Sequence, residues 1–335
     1  MPEKILLAHG SGGRLTHDLV REIFLPHLSN PFLEPLDDSA RLMSQGGPMA
    51  FTTDSYVVNP IFFPGGDIGK LAVFGTINDL SMVGAVPSYL SLSLIIEEGF
   101  PVEDLKRVVS SIREASERTG ISVVTGDTKV VERGAADQLF VNTAGIGWIR
   151  EGIHLSGLNA KKGDCVFLSG FVGDHEVAVL SQREGFEFEG DLTSDCAPLN
   201  DLVGKMLQAC PSIRCLRDPT RGGLATTLNE IAFMSHAGII LQEARIPVRE
   251  SVRGICELLG LDPLYLANEG KLIAICPPAE ADRLLEVMKN HSQGRDAEII
   301  GRVTQENPGR VSLQTGIGGH RILDMLTGAQ YPRIC

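Results

Sequence analysis

Apolar and polar residues follow two different periods along the chain, and segments with each period succeed one another over most of its length. In Val102–Thr119 apolar residues recur every three or four positions up to Gly120, which predicts an amphipathic helix. Residues 88–97 alternate between polar and apolar positions, which is typical of a half-buried strand. Residues 66–85 form a more apolar segment, which we predict to be a helix with Asp67 as its N-cap.

The same two patterns continue towards the C-terminus, and a polar, glycine-containing stretch at 150–164 separates them into two halves. Further helices are predicted at 174–184, 199–209, 222–236, 249–259 and 278–291. Further strands are predicted at 48–54, 121–125, 138–149, 165–169, 238–242, 271–276, 298–302 and 310–313. We therefore expect two α+β or α/β domains at 1–150 and 151–326, followed by an aperiodic, mobile tail at 327–335.

Charge and composition exclude several classes of partner. The 335 residues carry a formal net charge of −12, whereas proteins that bind nucleic acid need basic surfaces, so we expect no nucleic-acid partner. No apolar stretch approaches the roughly 20 residues that cross a bilayer, and the N-terminus does not resemble a signal peptide. We therefore expect a cytoplasmic protein with no membrane partner. The seven cysteines include no CxxC pair, which favours reduced thiols over a disulfide framework.

Aspartates at the ends of predicted elements are the first candidates for functional residues. The sequence contains neither a Walker A motif nor a GxGxxG loop, so a nucleotide would be held in another way. The aspartates in question are Asp38, Asp54, Asp79 and Asp127. Each alone is most simply a turn or cap residue. Together with the glycine-rich turn at 10–13 they favour binding of magnesium and a triphosphate, because Mg²⁺ prefers carboxylate and phosphate oxygens.

The second half offers weaker candidates. Residues 217–223 (RDPTRGG) open a predicted helix, where an anion site and an ordinary capped loop are equally good interpretations. A lone histidine such as His175 is more often structural than catalytic, and Glu269 is a solvated turn residue on spacing alone. Cys335 differs because a thiol on the last residue of a tail can reach a distant pocket. On position alone an incidental tail cysteine is the simplest interpretation, and a docking motif for a partner is another.

Segments spread over the whole chain together resemble the HypE family of hydrogenase expression/formation proteins, the carbamoyl dehydratases of nickel–iron hydrogenase maturation. The segments are LLAHGSGG, FTTDSYVV, FFPGGDIGKLA, INDLSMVGA, VTGDTKVVERG, NTAGIG, GDHE, RDPTRGG, RGICELLGL, ANEGKL and the terminal PRIC, which is the most specific. The resemblance implies a PurM-like fold, shared with aminoimidazole ribonucleotide synthetase, selenophosphate synthetase and thiamine-monophosphate kinase. It also implies a homodimer in which the N-terminal sheets form a shared barrel, with ATP in the neighbouring cleft.

The resemblance further implies a reaction and its residues. A carbamoyltransferase, HypF, would load a carbamoyl group on Cys335, and ATP would convert the amide oxygen into phosphate, leaving S-cyanocysteine. The nitrile would pass to iron on a HypC–HypD complex. The expected bases are Lys129 and Glu269, with His175 in support, and the expected Mg²⁺ ligands are the four aspartates. The expected nucleotide-binding residues are Gly10, Ser11, Gly12, Gly13, Lys70, Asn78, Thr220, Gly222 and Gly223.

The sequence leaves three alternative functions to compare with this one. Selenophosphate synthetase carries its reactive cysteine or selenocysteine near the N-terminal glycine loop, whereas the first cysteine here is Cys165. Another ATP-dependent kinase or synthetase of the same fold would act on a free small molecule and would not need Cys335. An ATP-binding scaffold would use the tail only for docking and would show no turnover.

Overall fold

The computed structural model describes residues 3–11, 14–36, 39–40, 42–44, 46–185 and 192–326. Its α-helices are α1 (Arg14–Leu19), α2 (Leu25–Leu28), α3 (Ile68–Met82), α4 (Val102–Thr119), α5 (Asp174–Glu184), α6 (Asn200–Ala209), α7 (Gly223–Ser235), α8 (Glu250–Leu259) and α9 (Ala281–Lys289). Its strands are β1 (Met49–Tyr56), β2 (Phe62–Phe63), β3 (Gly66–Asp67), β4 (Ala85–Glu97), β5 (Ser122–Val131), β6 (Leu139–Ile149), β7 (Cys165–Leu168), β8 (Cys215–Arg217), β9 (Gly238–Gln242), β10 (Ile273–Cys276), β11 (Glu298–Thr304), β12 (Val311–Gln314) and β13 (His320–Leu323).

The N-terminal half is built on a four-stranded sheet with the order β1-β6-β4-β5. Strand β4 runs antiparallel to β6 and parallel to β5. Its alternate residues Leu90, Leu92, Leu94 and Ile96 are buried on the face that α3 covers, and α4 packs on α3. The other face, which we call the open face, leaves apolar side chains exposed, among them Phe51 at 64%. One protomer therefore contains an open sheet and not a closed barrel.

Helix α3 begins where the sequence predicts it. The Asp67 carboxylate accepts hydrogen bonds from the backbone N–H groups of Gly69 (2.8 Å) and Lys70 (3.1 Å), which confirms it as the N-cap. The same carboxylate accepts a third hydrogen bond, of 2.7 Å, from the Ser111 hydroxyl of α4. The start of α3 is therefore fixed to α4 as well as capped, and this fixes the position of the residues further along α3.

The C-terminal half is built on a seven-stranded sheet with the order β13-β12-β9-β11-β7-β10-β8. All of its pairings are antiparallel except β9 with β12, so the sheet is mixed and does not have the parallel arrangement of a doubly wound fold. Helix α7 packs on one side of this sheet, and α6 and α9 pack on the other. Strand β8, at one edge, leads directly into α7 and brings that helix next to the N-terminal domain.

None of the helices in the described part of the chain is both long enough and apolar enough to span a bilayer.

Candidate active site between the two domains

A cleft of about 480 Å³ separates β1 and α3 of the N-terminal domain from the β8–α7 segment of the C-terminal domain. Its polar lining comes from both sides and consists of Thr52, Asp79, Arg217, Asp218, Thr220, Arg221, Thr227 and Glu230. The predicted candidates Asp79 and Thr220 therefore lie in one cleft, although 141 positions of sequence separate them. The cleft carries both carboxylates and guanidinium groups.

The carboxylates in and beside the cleft interact strongly with one another. The Asp79 carboxylate accepts a hydrogen bond of 3.0 Å from the Thr52 hydroxyl, and burial together with the negative charge of Asp54 raises its pKa. Burial, and the neighbouring charge of Asp79, raise the pKa of the half-buried Asp218 to about 7. Asp54, Asp79 and Asp218 therefore lie close enough for their charges to interact, and this arrangement suits a cation.

Two arginines introduce positive charge beside these acids. The Arg221 guanidinium lies 3.6 Å from the Asp54 carboxylate and is 80% exposed. The Arg217 guanidinium forms a very short ion pair with Glu230 of α7. Exposed guanidinium groups at the mouth of a cleft bind phosphate oxygens well. The arrangement can therefore accept a phosphate chain together with its counter-ion.

The two glycines of the RDPTRGG segment are needed for backbone geometry at the start of α7. Both have positive φ, +73° for Gly222 and +60° for Gly223. A Cβ on Gly223 would lie 2.5 Å from the Leu266 carbonyl oxygen. The N–H of Gly223 donates to the Thr220 carbonyl (3.1 Å), so this predicted anion-binding group is already used within the turn.

Glu269 lies behind the cleft, almost fully buried at 8% exposure. Its N–H donates to the Asp195 carboxylate (3.0 Å), which in turn lies 3.2 Å from the Lys271 ammonium group. Burial and the nearby carboxylates of Asp195 and Asp218 raise the pKa of Glu269 well above its ordinary value. Burial therefore favours the protonated form of Glu269 in the free protein, and it corrects the expectation of a solvated turn residue.

His175 is also completely buried. Its Nδ1 lies 2.8 Å from the Ser194 hydroxyl, and its ring meets the edge of Phe63 at a centroid distance of 5.5 Å. Burial lowers the pKa of His175 to about 4, so the imidazole is neutral at physiological pH. These contacts place His175 under the loop that carries Asp195. They are the contacts expected of a residue that holds this loop in place.

Asn78 and Lys70, both predicted to contact the nucleotide, are engaged elsewhere. The Asn78 amide donates to two backbone carbonyls of the C-terminal domain and accepts a third hydrogen bond from the same domain. A nucleotide contact would have to replace one of these bonds. The Lys70 ammonium group lies 3.7 Å from the exposed carboxylate of Glu114.

Asp127 and Lys129 lie away from the cleft within one protomer. Both are exposed on β5, and their pairing partners on β4, Ser93 and Ile95, place them on the open face of the sheet. Strand β5 is at the opposite edge from β1, about 14 Å away at ordinary strand spacing. The predicted set of aspartate ligands therefore does not converge in a single protomer. No three acidic, histidine or cysteine side chains of the described residues are close enough to hold a metal by themselves.

The remaining predicted residues are at the N-terminus or outside the described part. A Cβ on Gly10 would lie 2.5 Å from the backbone nitrogen of Val130, so Gly10 lies against β5. The Ser11 hydroxyl donates a hydrogen bond to the Ala8 carbonyl (2.9 Å). The candidates that lie outside the described residues are Gly12, Gly13, Asp38 and Cys335.

Sequence reasoning missed several residues that the structure brings to the site. Asp218 lies within the quoted segment RDPTRGG, and its position between an arginine and a proline, just before a predicted helix, was the available signal. Asp195 and Lys271 form a buried ion pair, with exposures of 2% and 12% for their side chains. The pairing of two residues 76 positions apart in sequence has no local signal.

Comparison with known proteins identifies this architecture. Two family models match the chain: the N-terminal domain of AIR synthase related proteins over residues 36–149 and their C-terminal domain over 161–314. The carbamoyl dehydratase HypE of Azotobacter vinelandii is 54% identical over 329 residues, which cover 98% of this chain and 96% of that protein. The chain belongs to the HypE family.

Solved structures agree with the assignment to HypE. A crystal structure of the hydrogenase maturation protein HypE in complex with ATP is similar with a TM-score of 0.95 and 52% identity, covering 98% of this chain and 99% of that one. The HypE chain of a HypE–HypF complex is similar with a TM-score of 0.81 and 49% identity, covering 92% and 99%. The family resemblance and the two-domain PurM-like fold expected from the sequence are thus confirmed.

Proposed function

We propose that this chain dehydrates an S-carbamoyl group on its own Cys335 to S-cyanocysteine at the expense of ATP. The nitrile would supply the cyanide ligand of the iron in nickel–iron hydrogenase. Membership of the carbamoyl dehydratase family supports the type of reaction. The observation that carries the proposal is the position of Leu326, which contacts the first turn of α7, the helix whose start helps to line the charged cleft.

The position of Leu326 makes a tethered substrate feasible. The backbone N–H of Leu326 lies 3.5 Å from the Thr226 hydroxyl, in the first turn of α7. The next residue, Thr227, lines the cleft. The nine residues from 327 to 335 can span at most about 30 Å when extended, which is ample to bring the Cys335 thiol to the cleft. Tethering replaces a substrate pocket, because it sets a local concentration of roughly millimolar.

The reaction balances without any redox partner. The carbamoyl oxygen attacks the γ-phosphorus of ATP, so that an O–P bond forms, the bond to ADP breaks and one N–H proton leaves. The C–O bond then breaks with its electron pair departing on phosphate, and the second N–H proton leaves with the phosphate as C≡N forms. Amide oxygen is a poor leaving group, whereas phosphate leaves readily. The products are S-cyanocysteine, ADP, phosphate and one proton.

Residues of the cleft would bind and orient the triphosphate. Arg217 and Arg221 would contact phosphate oxygens, with Lys70 and the glycine turn as further candidates. Burial and then the negative charge of Asp54 raise the pKa of Asp79, so these two carboxylates lie close enough to interact, and such a pair fits a divalent cation. Mg²⁺ commonly uses only one or two carboxylates plus phosphates. Asp54 and Asp79 would hold it, and it would neutralise the charge of the triphosphate.

Glu269 is the base that the cleft offers for proton removal. Burial and the surrounding carboxylates raise its pKa in the free protein, so we expect it to act as a base only when positive charge enters the cleft. Lys129 is the second candidate, and the neutral His175 would support the loop that carries Asp195.

We also propose a homodimer formed through the open faces of two N-terminal sheets. The exposed apolar side chains on that face, Met49 (58%), Phe51 (64%) and Ile95 (41%), support it. Asp127 and Lys129 lie on the same face and would join the chemistry through the partner protomer. A monomer in light scattering at micromolar concentration, with activity intact, would exclude this arrangement.

The partners follow from the same reaction. HypF would load the carbamoyl group, and a solved complex of HypE with HypF supports such a contact. A HypC–HypD complex would accept the nitrile on iron. We place the reaction in the cytoplasm, where free thiols stay reduced.

The mass of the intact protein tests this function. After brief loading with carbamoyl phosphate, HypF and ATP, the protein is freed of HypF and nucleotide before dehydration proceeds, and it is then given Mg²⁺ and fresh ATP. We expect the mass to rise by one carbamoyl group in the first step and to fall by one water in the second. Cys335→Ser should show neither change, whereas Cys165→Ser is the matched control and should show both. Loss of water without ATP, or a carbamoyl group on another cysteine, would refute the proposal.

A further inference from the structure

Asn78 joins the two domains at the back of the cleft and is only 1% exposed. Its side-chain amide donates to the carbonyl oxygens of Ala197 and Glu269, both at 3.1 Å, and its side-chain oxygen accepts the N–H of Leu199 at 2.8 Å. All of these partners belong to the C-terminal domain, whereas Asn78 belongs to α3. The next residue of α3 is Asp79, which lies in the cleft. Helix α3 thus carries both the Asp79 carboxylate in the cleft and the Asn78 side chain, which is hydrogen-bonded to the backbone of Glu269.

The other side of Glu269 is held as well. Its N–H donates to the Asp195 carboxylate at 3.0 Å, and Asp195 is kept in place by Lys271 at 3.2 Å. The following residue, Gly270, packs so tightly that a Cβ there would lie 1.8 Å from the Asp195 carbonyl oxygen. Both polar backbone groups of Glu269 are therefore fixed by side chains, one from each domain.

We propose that Asn78 is a positioning residue that fixes Glu269 at a set place relative to Asp79. The inference rests on the proposed function, in which Glu269 removes a proton from the carbamoyl group while the phosphate chain of ATP is held near Asp79. A general base acts only within hydrogen-bond reach, and a displacement of about 1 Å costs on the order of 100-fold in rate. Asn78 thereby links phosphate binding to proton removal through the structure of α3 and makes no nucleotide contact.

Asn78→Leu tests the inference, because leucine has a similar size and no hydrogen-bonding groups. We expect the rate of dehydration of preloaded protein to fall by about 100-fold while the KM for ATP changes by less than about threefold. Thr76→Val is the matched control: Thr76 is fully buried on the same helix, and its hydroxyl contacts Tyr56 and Thr143 of its own domain. Both variants should lose stability, but only Asn78→Leu should lose dehydration.

A second pair of variants tests the hydrogen bond that the Asp195 side chain accepts from the N–H of Glu269. This pair also covers the case in which Asn78→Leu does not fold. In a Lys271→Met background, Asp195→Asn keeps a side-chain oxygen that can accept the N–H of Glu269, and Asp195→Leu removes it. Both double variants lack the buried charges and have similar volumes, so they differ chiefly in that acceptor. We expect the Asn variant to dehydrate at least about ten times faster than the Leu variant, at equal KM for ATP.

The outcomes separate the inference from the function. If the wild-type protein accepts the carbamoyl group but never loses water, the proposed function and the inference both fail. If the wild-type protein dehydrates and Asn78→Leu does so equally fast, only the inference fails. A parallel rise in the KM for ATP would overturn it too, since that would make Asn78 a nucleotide contact.

Discussion

Replacing Asp218 by asparagine should make the free protein more stable, and increasingly so as the pH rises. Burial, then the negative charge of Asp79, raise the pKa of Asp218 from an ordinary 3.8 to about 7. The folded protein therefore prefers the protonated acid, whereas the unfolded chain ionises it. Asparagine has the same shape and carries no charge at any pH. Ionisation therefore cannot stabilise the unfolded state of the variant relative to its folded state at this position.

The sign and size of this stability difference follow from proton linkage. Below pH 3.8 the carboxyl is protonated in both states and contributes no pH dependence. Between 3.8 and 7 the unfolded chain loses the proton first, so the stability of the wild type falls as the pH rises, and above 7 the loss is complete. The interval from pH 5.5 to 7 corresponds to about 1.5 pH units. The advantage of Asp218→Asn should thus grow by about 2 kcal/mol between pH 5.5 and pH 8.

Urea unfolding of both proteins at several pH values, without nucleotide and with a chelator present, measures this difference. Other titrating groups are common to both proteins and cancel in the comparison. A stability difference that is independent of pH, or a variant less stable than the wild type at pH 8, would refute the reasoning. The same variant should bind Mg²⁺ and ATP no better than the wild type, since the gain belongs to the free protein.

The remaining predictions concern the cleft and its frame. Asp79→Asn should weaken binding of Mg²⁺ and ATP by about ten-fold or more in calorimetry, because a charged contact is lost; unchanged affinity and turnover would contradict its role. Glu269→Gln and Lys129→Ala should slow dehydration by about 100-fold with ATP binding retained, and cyanation at the wild-type rate would remove either residue from the mechanism. Gly223→Ala should lower the free energy of unfolding by about 2 kcal/mol, because φ is +60° and its Cβ would meet the Leu266 carbonyl oxygen. A thermal midpoint equal to that of the wild type would show that the turn relaxes.

Elements with a long, regular pattern were predictable from the sequence. Helix α4 has the predicted bounds Val102–Thr119 and ends at Gly120, whose φ is +73°. Helix α5 and strand β9 also have their predicted bounds. Strand β8 and the helical stretch 14–28 were not predicted. Three residues are too few to show alternation, and Pro26 and four charged residues obscure the apolar period of 14–28.

The sequence by itself also determined the family, because the segments that carry the resemblance are contiguous and can be recognised one at a time. It also singled out Asp79 and the RDPTRGG segment as candidates, which the structure brings into one cleft, since element ends and glycine pairs have local signals. It did not determine which acids share a cleft. Asp54, Asp79 and Asp218 influence one another only because β1, α3 and the β8–α7 segment meet in space.

Tertiary structure alone decided which polar groups are buried and which charges lie beside them. Glu269 in a turn motif is an ordinary solvated residue until the fold buries it against Asp195 and Asn78, which lie 74 and 191 positions away. Desolvation and the neighbouring charges then give it a raised pKa that no local pattern encodes. The four-stranded sheet likewise separates Asp127 from Asp54 by placing them on opposite edges, although the sequence presents both as equivalent aspartates at the ends of strands. Local patterns specify elements, whereas burial and distance arise only when those elements pack.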